Sequence, residues 1–347
     1  MWSYILKRML LMIPTLLGAL AITFGVIQFV PGGPVEQMVA QLRGQGGGGG
    51  EAAGSSGAGY RGRQGVDAAQ IEEIKQLYGF DKPPHERFVQ MVVSFAKFDL
   101  GKSFFHHQDV WGLIKEKLPV SITLGLWTFV LSYLISVPLG IAKAVRAGSR
   151  FDLVTSIIVL FGYAIPGFVL GVLLLVLFGG GTFLAWFPLR GLTSPNWDEL
   201  SLWGKVVDYL WHIALPVTAS VVGSFATLTM LTKNAFLEEI RKQYVITARA
   251  KGLEERRVLW KHVFRNALIP IITGFPAAFI GAFFTGALLI ETLFSLDGLG
   301  LLGYESVIRR DYPVVLGTFY LFTLIGLLTK LVSDLCYVWV DPRVKFD

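Results

Sequence analysis

Six long apolar runs dictate what this chain can become. Residues 9–30, 119–142, 153–178, 211–232, 266–290 and 313–339 each hold mainly apolar side chains. Each run has the roughly 20 residues that a helix needs to cross a ~30 Å hydrocarbon core. Lipid offers no partner to a backbone N–H or C=O, so a spanning run must satisfy its own groups as a helix. The expectation is an all-α, polytopic membrane protein with six transmembrane helices. The composition agrees: 53% of residues are hydrophobic and the mean hydropathy is +0.57. Lys7 and Arg8 precede the first run, and Ala19-Leu20-Ala21 resembles a signal cleavage site. The run continues to Val30, however, past the ~7–15 residues of a signal core. An uncleaved first span is expected.

Orientation follows from Lys and Arg in the short loops. One side carries Lys7 and Arg8, then Lys143, Arg146 and Arg150, then nine basic residues from Lys233 to Arg265, then Arg343 and Lys345. The opposite short loops hold Arg190, Lys205, Arg309 and Arg310. Sixteen against four places both termini in the cytoplasm. The net charge of +6 is then a mark of topology and not of nucleic-acid binding. The sole cysteine, Cys336, lies in the sixth run, so no intramolecular disulfide can form.

The chain divides into an N-terminal segment with the first span (1–30), an extracytoplasmic cap (31–118), a core membrane domain (119–339) and a cytoplasmic tail (340–347). Pro31-Gly32-Gly33-Pro34 breaks the chain as it leaves the membrane. Residues 44–65 are Gly/Ser-rich and read as a mobile linker. Ile71, Ile74, Leu77 and Tyr78 predict an amphipathic helix over 67–78. Phe88, Met91, Val92, Phe95 and Phe98 predict another over 84–98. A second outer loop, 179–210, together with the start of the following span, brings Trp186, Trp197, Trp203 and Trp211 to the membrane interface.

Groups that carry chemistry are scarce. Gly101-Lys102-Ser103 looks like the end of a phosphate-binding loop, but Ala96 stands where the pattern needs glycine. His106 and His107 are adjacent and cannot share a helical face, and no further ligand stands at metal spacing. No catalytic residue and no metal ligand is assigned, and the chain reads as a non-enzyme. Ionisable residues in spans are functional candidates. Lys330 and Asp334 sit at i, i+4 and are expected to pair. Glu291, at the outer end of span five, is a candidate interfacial anchor or substrate-facing group. A secondary transporter would need discontinuous helices and ionisable groups at midplane, in an inverted repeat, and neither is read. A scaffold or receptor would not need six spans interrupted by Pro138, Gly162, Pro166 and Pro276.

The most distinctive polar stretch is Tyr244–Pro270, YVITARAKGLEERRVLWKHVFRNALIP, which overlaps the coupling region 233–265. Helix formers run to Lys251, and Ala248 and Ala250 offer a small, flat surface. Gly252 can take φ > 0 and end the helix. Leu253-Glu254-Glu255 restarts it with acids in the first turn. Helix, corner and second helix make a rigid knob on which a soluble partner can push.

These residues resemble the membrane permease subunits of ATP-driven peptide importers of the dipeptide, oligopeptide and nickel branch, most of all the Yej-type B permeases. The coupling signature corresponds to Thr247-Ala248-Arg249-Ala250-Lys251-Gly252-Leu253, followed by Arg265-Asn266-Ala267-Leu268 and Pro270. Ile246-Thr247-Ala248 stands where the wider family has E-A-A. Further matches are Tyr78–Pro83, Phe98–Ser103, Leu118–Ser121, Phe294-Ser295, Gly298–Gly300, Arg310–Pro313 and Asp341–Arg343. Asp297 departs from the pattern, since relatives often have proline there. Asp297 and Glu291 are candidates for a gate- or substrate-facing role. The resemblance implies the type I importer permease fold and a knob seated in a groove of a cytoplasmic ATPase. It also implies a second, homologous permease as heterodimer partner and a periplasmic binding protein that delivers peptide. The location would be the inner membrane. This chain would bind no cofactor, ATP and Mg being held by the ATPase.

Overall fold

The structure, a computed structural model, describes residues 2–29, 81–179, 183–284 and 287–340. The helix expected over 67–78, the Gly-rich stretch and the tail lie outside the described residues. Regular structure among the described residues is helical, with one isolated bridge between Lys102 and Asp109. Among the described residues four helices are long and apolar enough to cross a membrane: α1 (Trp2–Phe29), α3 (Val110–Val145), α6 (Leu202–Ile240) and α12 (Tyr312–Val340). Two bent pairs bring the total to six if each pair is one span.

Both bends correct the expectation of continuous helices. The run 153–178 is split into α4 (Arg150–Ala164) and α5 (Gly167–Phe178), bent by 91°. Pro166 is the cause. Its ring clashes with an α-helical residue before it, and Ile165 is accordingly extended at φ −88°, ψ 117°. The run 266–290 is divided too. A helical stretch α8 (Glu255–Ala267) meets α9 (Ile269–Phe284) at 49°. A further helix, α10 (Leu288–Leu293), follows the non-helical Ala287. Helix α3 runs unbroken through 118 and 119, so the second span begins well before its apolar run.

The chain forms two compact units. The first comprises residues 1–9, 114–302 and 324–347. In it α6 packs against α4 and α5, and α10 packs against α5 and α6. Its core gathers Leu124, Ile213, Val217, Ala219, Phe294 and Leu296. Ser132 and Ser224 hydroxyls meet at 2.8 Å, and Trp127 Nε1 donates to Tyr209 at 3.0 Å, joining α3 to α6. The expected Lys330–Asp334 pair does not form. Asp334 instead accepts from Tyr4 (2.8 Å) and Arg8 (2.9 Å) of α1, while Lys330 is exposed. Shared helical face permits a pair, but a better donor from another helix wins.

The second unit comprises residues 10–113 and 303–323. Helix α2 (Pro84–Ala96) ends two residues earlier than its apolar spacing predicts. Phe98 takes φ 59° and closes the helix end, with Asp99 N donating to Ser94 O. Phe98 and Phe95 both lie against Tyr320. The turn Gly101-Lys102-Ser103 is a structural clip. Buried Asp311 accepts from Ser103 Oγ (2.5 Å) and Phe104 N (3.1 Å). Ser103 Oγ in turn accepts from His106 N at 2.8 Å.

Candidate functional site

The knob is built as the sequence spacing predicts, except on one face. Helix α7 (Gln243–Ala250) ends in paired bonds: Leu253 N reaches Ala248 O, and Gly252 N reaches Arg249 O. This is a Schellman closure, whose C′ residue must be left-handed. Gly252 is, at φ +76°. Space does not demand glycine here, since an added Cβ would meet nothing within 4 Å. The backbone conformation does. A bidentate ion pair between Arg249 and Glu255 spans the corner and raises the Arg249 pKa. Tyr244 donates to Glu239 at 2.5 Å and accepts from Asn266 Nδ2 at 3.1 Å. Burial first, then the bond to Glu239, pushes its phenol pKa up.

The inner face of the knob is apolar. Val245, Ala248, Val258, Val263 and Ala267 cluster with Phe236 of α6 and Ala144 of α3. Ala248, expected on a partner-facing surface, is therefore turned inward. At i, i+3 it shares the buried face of Val245. Thr247, Arg249, Ala250, Lys251 and Gly252 are exposed, and Leu253 is half-buried. The sequence reading missed the two large apolar groups on the outer surface, Ile246 (50% exposed) and Trp260 (52%). They face away from the cluster by helical periodicity alone, which was legible.

Beside the knob lies a charged node that no motif announced. Lys143 is fully buried. Its ammonium donates to Asp152 O, Thr155 Oγ1 and Ser156 Oγ at 2.7–3.0 Å and stands 3.1 Å from Asp152 Oδ1. Lys233 grips the same carboxylate at 2.6 and 2.9 Å. One acid thus ties α3, α4 and α6 together. The basic residues expected to mark a loop are here partly structural.

In the same unit a cavity of about 390 Å³ opens between α3, α6 and α9. Its wall is mostly apolar, dotted with the hydroxyls of Thr128, Ser132, Tyr133, Ser220, Ser224 and Thr227. Among the described lining residues Glu291 alone is charged, and it is fully buried. Its carboxylate accepts from Ala287 N (3.0 Å) and Leu301 N (2.8 Å). Leu299 N donates to Ser121 Oγ. The start of α11 (Leu299–Ile308) is thus capped from other segments, with the anion where a helix N-terminus favours it. Gly298 and Gly300 leave room for that carboxylate. Glu291 is thus buried, with both carboxylate oxygens engaged by backbone donors. Asp297 is exposed and accepts from Lys117 at 2.5 Å. Among the described residues no three His, Cys, Asp or Glu gather to hold a metal.

A chain of bent apolar helices, a cavity walled by hydroxyls and a basic knob define a membrane transport subunit, and sequence comparison specifies which. Residues 136–346 match the family described as binding-protein-dependent transport system inner membrane component. The chain belongs to this family. It is 56% identical to the peptidoglycan transport system permease protein YejB of Agrobacterium fabrum, over 100% of this chain and 99% of that one. It is 54% identical to the inner membrane ABC transporter permease protein YejB of Escherichia coli O157:H7, over the whole of both chains. The oligopeptide transport system permease protein AppB of Bacillus subtilis is 30% identical, again over both chains in full. Among solved structures, an inward-facing MetNI methionine ABC transporter chain aligns with a TM-score of 0.49 and 18% identity, covering 67% of this chain and 97% of that one.

Proposed function

We propose that this chain is one of two homologous permease subunits of an importer that moves peptides, or peptide-bearing wall fragments, from periplasm to cytoplasm. ATP hydrolysis on a partner ATPase drives the cycle. The observation that carries this reading is one unit that holds both a cavity and a stiff knob with exposed apolar groups. Among its described lining residues no exposed charge stands ready to trap a substrate terminus. Its scattered hydroxyls suit the uncharged amides common to all peptides, so it tolerates many sequences. Selection then rests with a periplasmic binding protein. The knob presents Ile246 and Trp260 amid Lys251, Arg256 and Arg257. Large exposed apolar residues ringed by charge suit a soluble partner, here the ATPase. The knob is welded to α3 and α6 through the Phe236 cluster, so a push on it reaches the cavity walls. Both termini face the cytoplasm, as the basic bias requires. Purification of the tagged chain from its own membranes tests this. The second permease and the ATPase should accompany it in fixed ratio, whereas recovery of the chain alone under mild detergent would count against the reading.

A further inference from the structure

Four aromatic rings stand where the cavity meets α9. Phe129 and Tyr133 of α3 line the cavity. Phe275 and Phe279 of α9 lie against them, with centroids 5.0 Å (Phe129–Phe275), 5.3 Å (Phe129–Phe279) and 5.5 Å (Tyr133–Phe275) apart. The same two helices touch backbone to side at one further point. A Cβ on Gly125 would fall 1.6 Å from Ala282 O, so no other residue fits there. Phe129 and Tyr133 lie four and eight residues from Gly125, about 6 and 12 Å along the axis at ~1.5 Å per residue. The contact is therefore tight at one end and padded by rings at the other.

Helix α9 is the least anchored wall of the cavity. Of its residues with described side chains, Ile271 alone is buried. The non-helical Ala287 lies between it and α10, and a 49° bend bounds it before Ile269. Pro276 lacks an N–H, so the Ile272 carbonyl loses its helical partner and the helix can flex there. Sparse burial and a broken ladder are the physical content of local mobility. The knob leads directly into this helix through Leu268.

We propose that Phe129, Tyr133, Phe275 and Phe279 form the gate of the cavity, opened when α9 swings about the Gly125–Ala282 contact. This rests on the transport reading above. A cluster of rings meeting edge to face across the two helices suits the task. It excludes water when closed, holds no ion pair that must be broken, and leaves apolar faces for peptide side chains when parted. Motion of the knob is delivered first to the helix that carries half of the gate.

The test uses the assembled transporter in vesicles, with Cys336→Ser as background and radiolabelled trialanine as probe. Tyr133→Cys with Phe275→Cys, bridged by a short bis-methanethiosulfonate, should lower uptake at least tenfold, and reductant should restore it. Bridging Trp127→Cys to Tyr209→Cys, across the fixed α3–α6 frame, should leave uptake within twofold. Unchanged uptake in the bridged gate pair overturns the proposal, and so does equal loss in both pairs. A second measurement needs one exposed substitution, Phe275→Cys. Its maleimide labelling rate should differ at least tenfold between nucleotide-free and vanadate-trapped states, and equal rates overturn the proposal. Uptake by unbridged Cys336→Ser protein tests the transport reading separately.

Discussion

Replacing Gly298 with alanine would set a methyl carbon 2.5 Å from Glu291 Cδ and 2.6 and 2.8 Å from its oxygens. The carboxylate has nowhere to retreat. One oxygen is held by Ala287 N and the other by Leu301 N. Each hydrogen bond to a charged group contributes about 1.5–3 kcal/mol, and overpacking a filled site costs about 1–3 kcal/mol. Losing one bond and part of the packing should cost about 2–4 kcal/mol. Denaturation of purified protein by sodium dodecyl sulfate in mixed micelles measures it. The control is a double-mutant cycle with Glu291→Ala, which removes the group the methyl strikes. In that background Gly298→Ala should cost less than about 1 kcal/mol, a coupling within the range for touching residues. If the two costs simply add, Gly298 is not glycine for the sake of Glu291, and the derivation fails.

Three further outcomes follow from the same geometry. Ala248→Trp should destabilise the protein itself by about 1–3 kcal/mol through overpacking, seen as reduced folded yield, while Ile246→Asp should leave yield normal and cut ATPase recovery at least tenfold. Normal yield for Ala248→Trp would contradict its buried position. Lys330→Met should be silent in the micelle titration, whereas Asp334→Leu, which takes the carboxylate from Arg8 and leaves it bonded to Tyr4 alone, should cost about 1 kcal/mol; the reverse order would restore the i, i+4 pair. Reporter fusions at Gly57 and Glu255 should report opposite compartments, and a shared compartment would refute the orientation.

What the sequence revealed depended on the range of the interaction. Apolar runs declare helices because lipid leaves the backbone no alternative, and the Gly252 corner was readable because a Schellman closure is local. The kink at Pro166 was visible as a proline, but not its 91° angle, nor that both α4 and α5 pack against α6. Motif residues were recognisable without their reasons: Gly298 and Gly300 serve a carboxylate seven to nine positions back, and Asp311 clips Ser103 from 208 residues away. Lys143 read as a loop cation because charge counting cannot see that Asp152, Thr155 and Ser156 converge on it. Helical periodicity alone placed Lys330 beside Asp334 and could not know of Arg8.

The central claim is that this chain passes peptide inward when a partner hydrolyses ATP. The most direct measurement is uptake of radiolabelled trialanine into vesicles holding the chain with its copurified subunits and binding protein, ATP being supplied on the knob side. Uptake should require ATP and binding protein together, and Ile246→Asp should abolish it without loss of inserted protein. Uptake that proceeds without ATP, or that survives Ile246→Asp unchanged, would contradict the account.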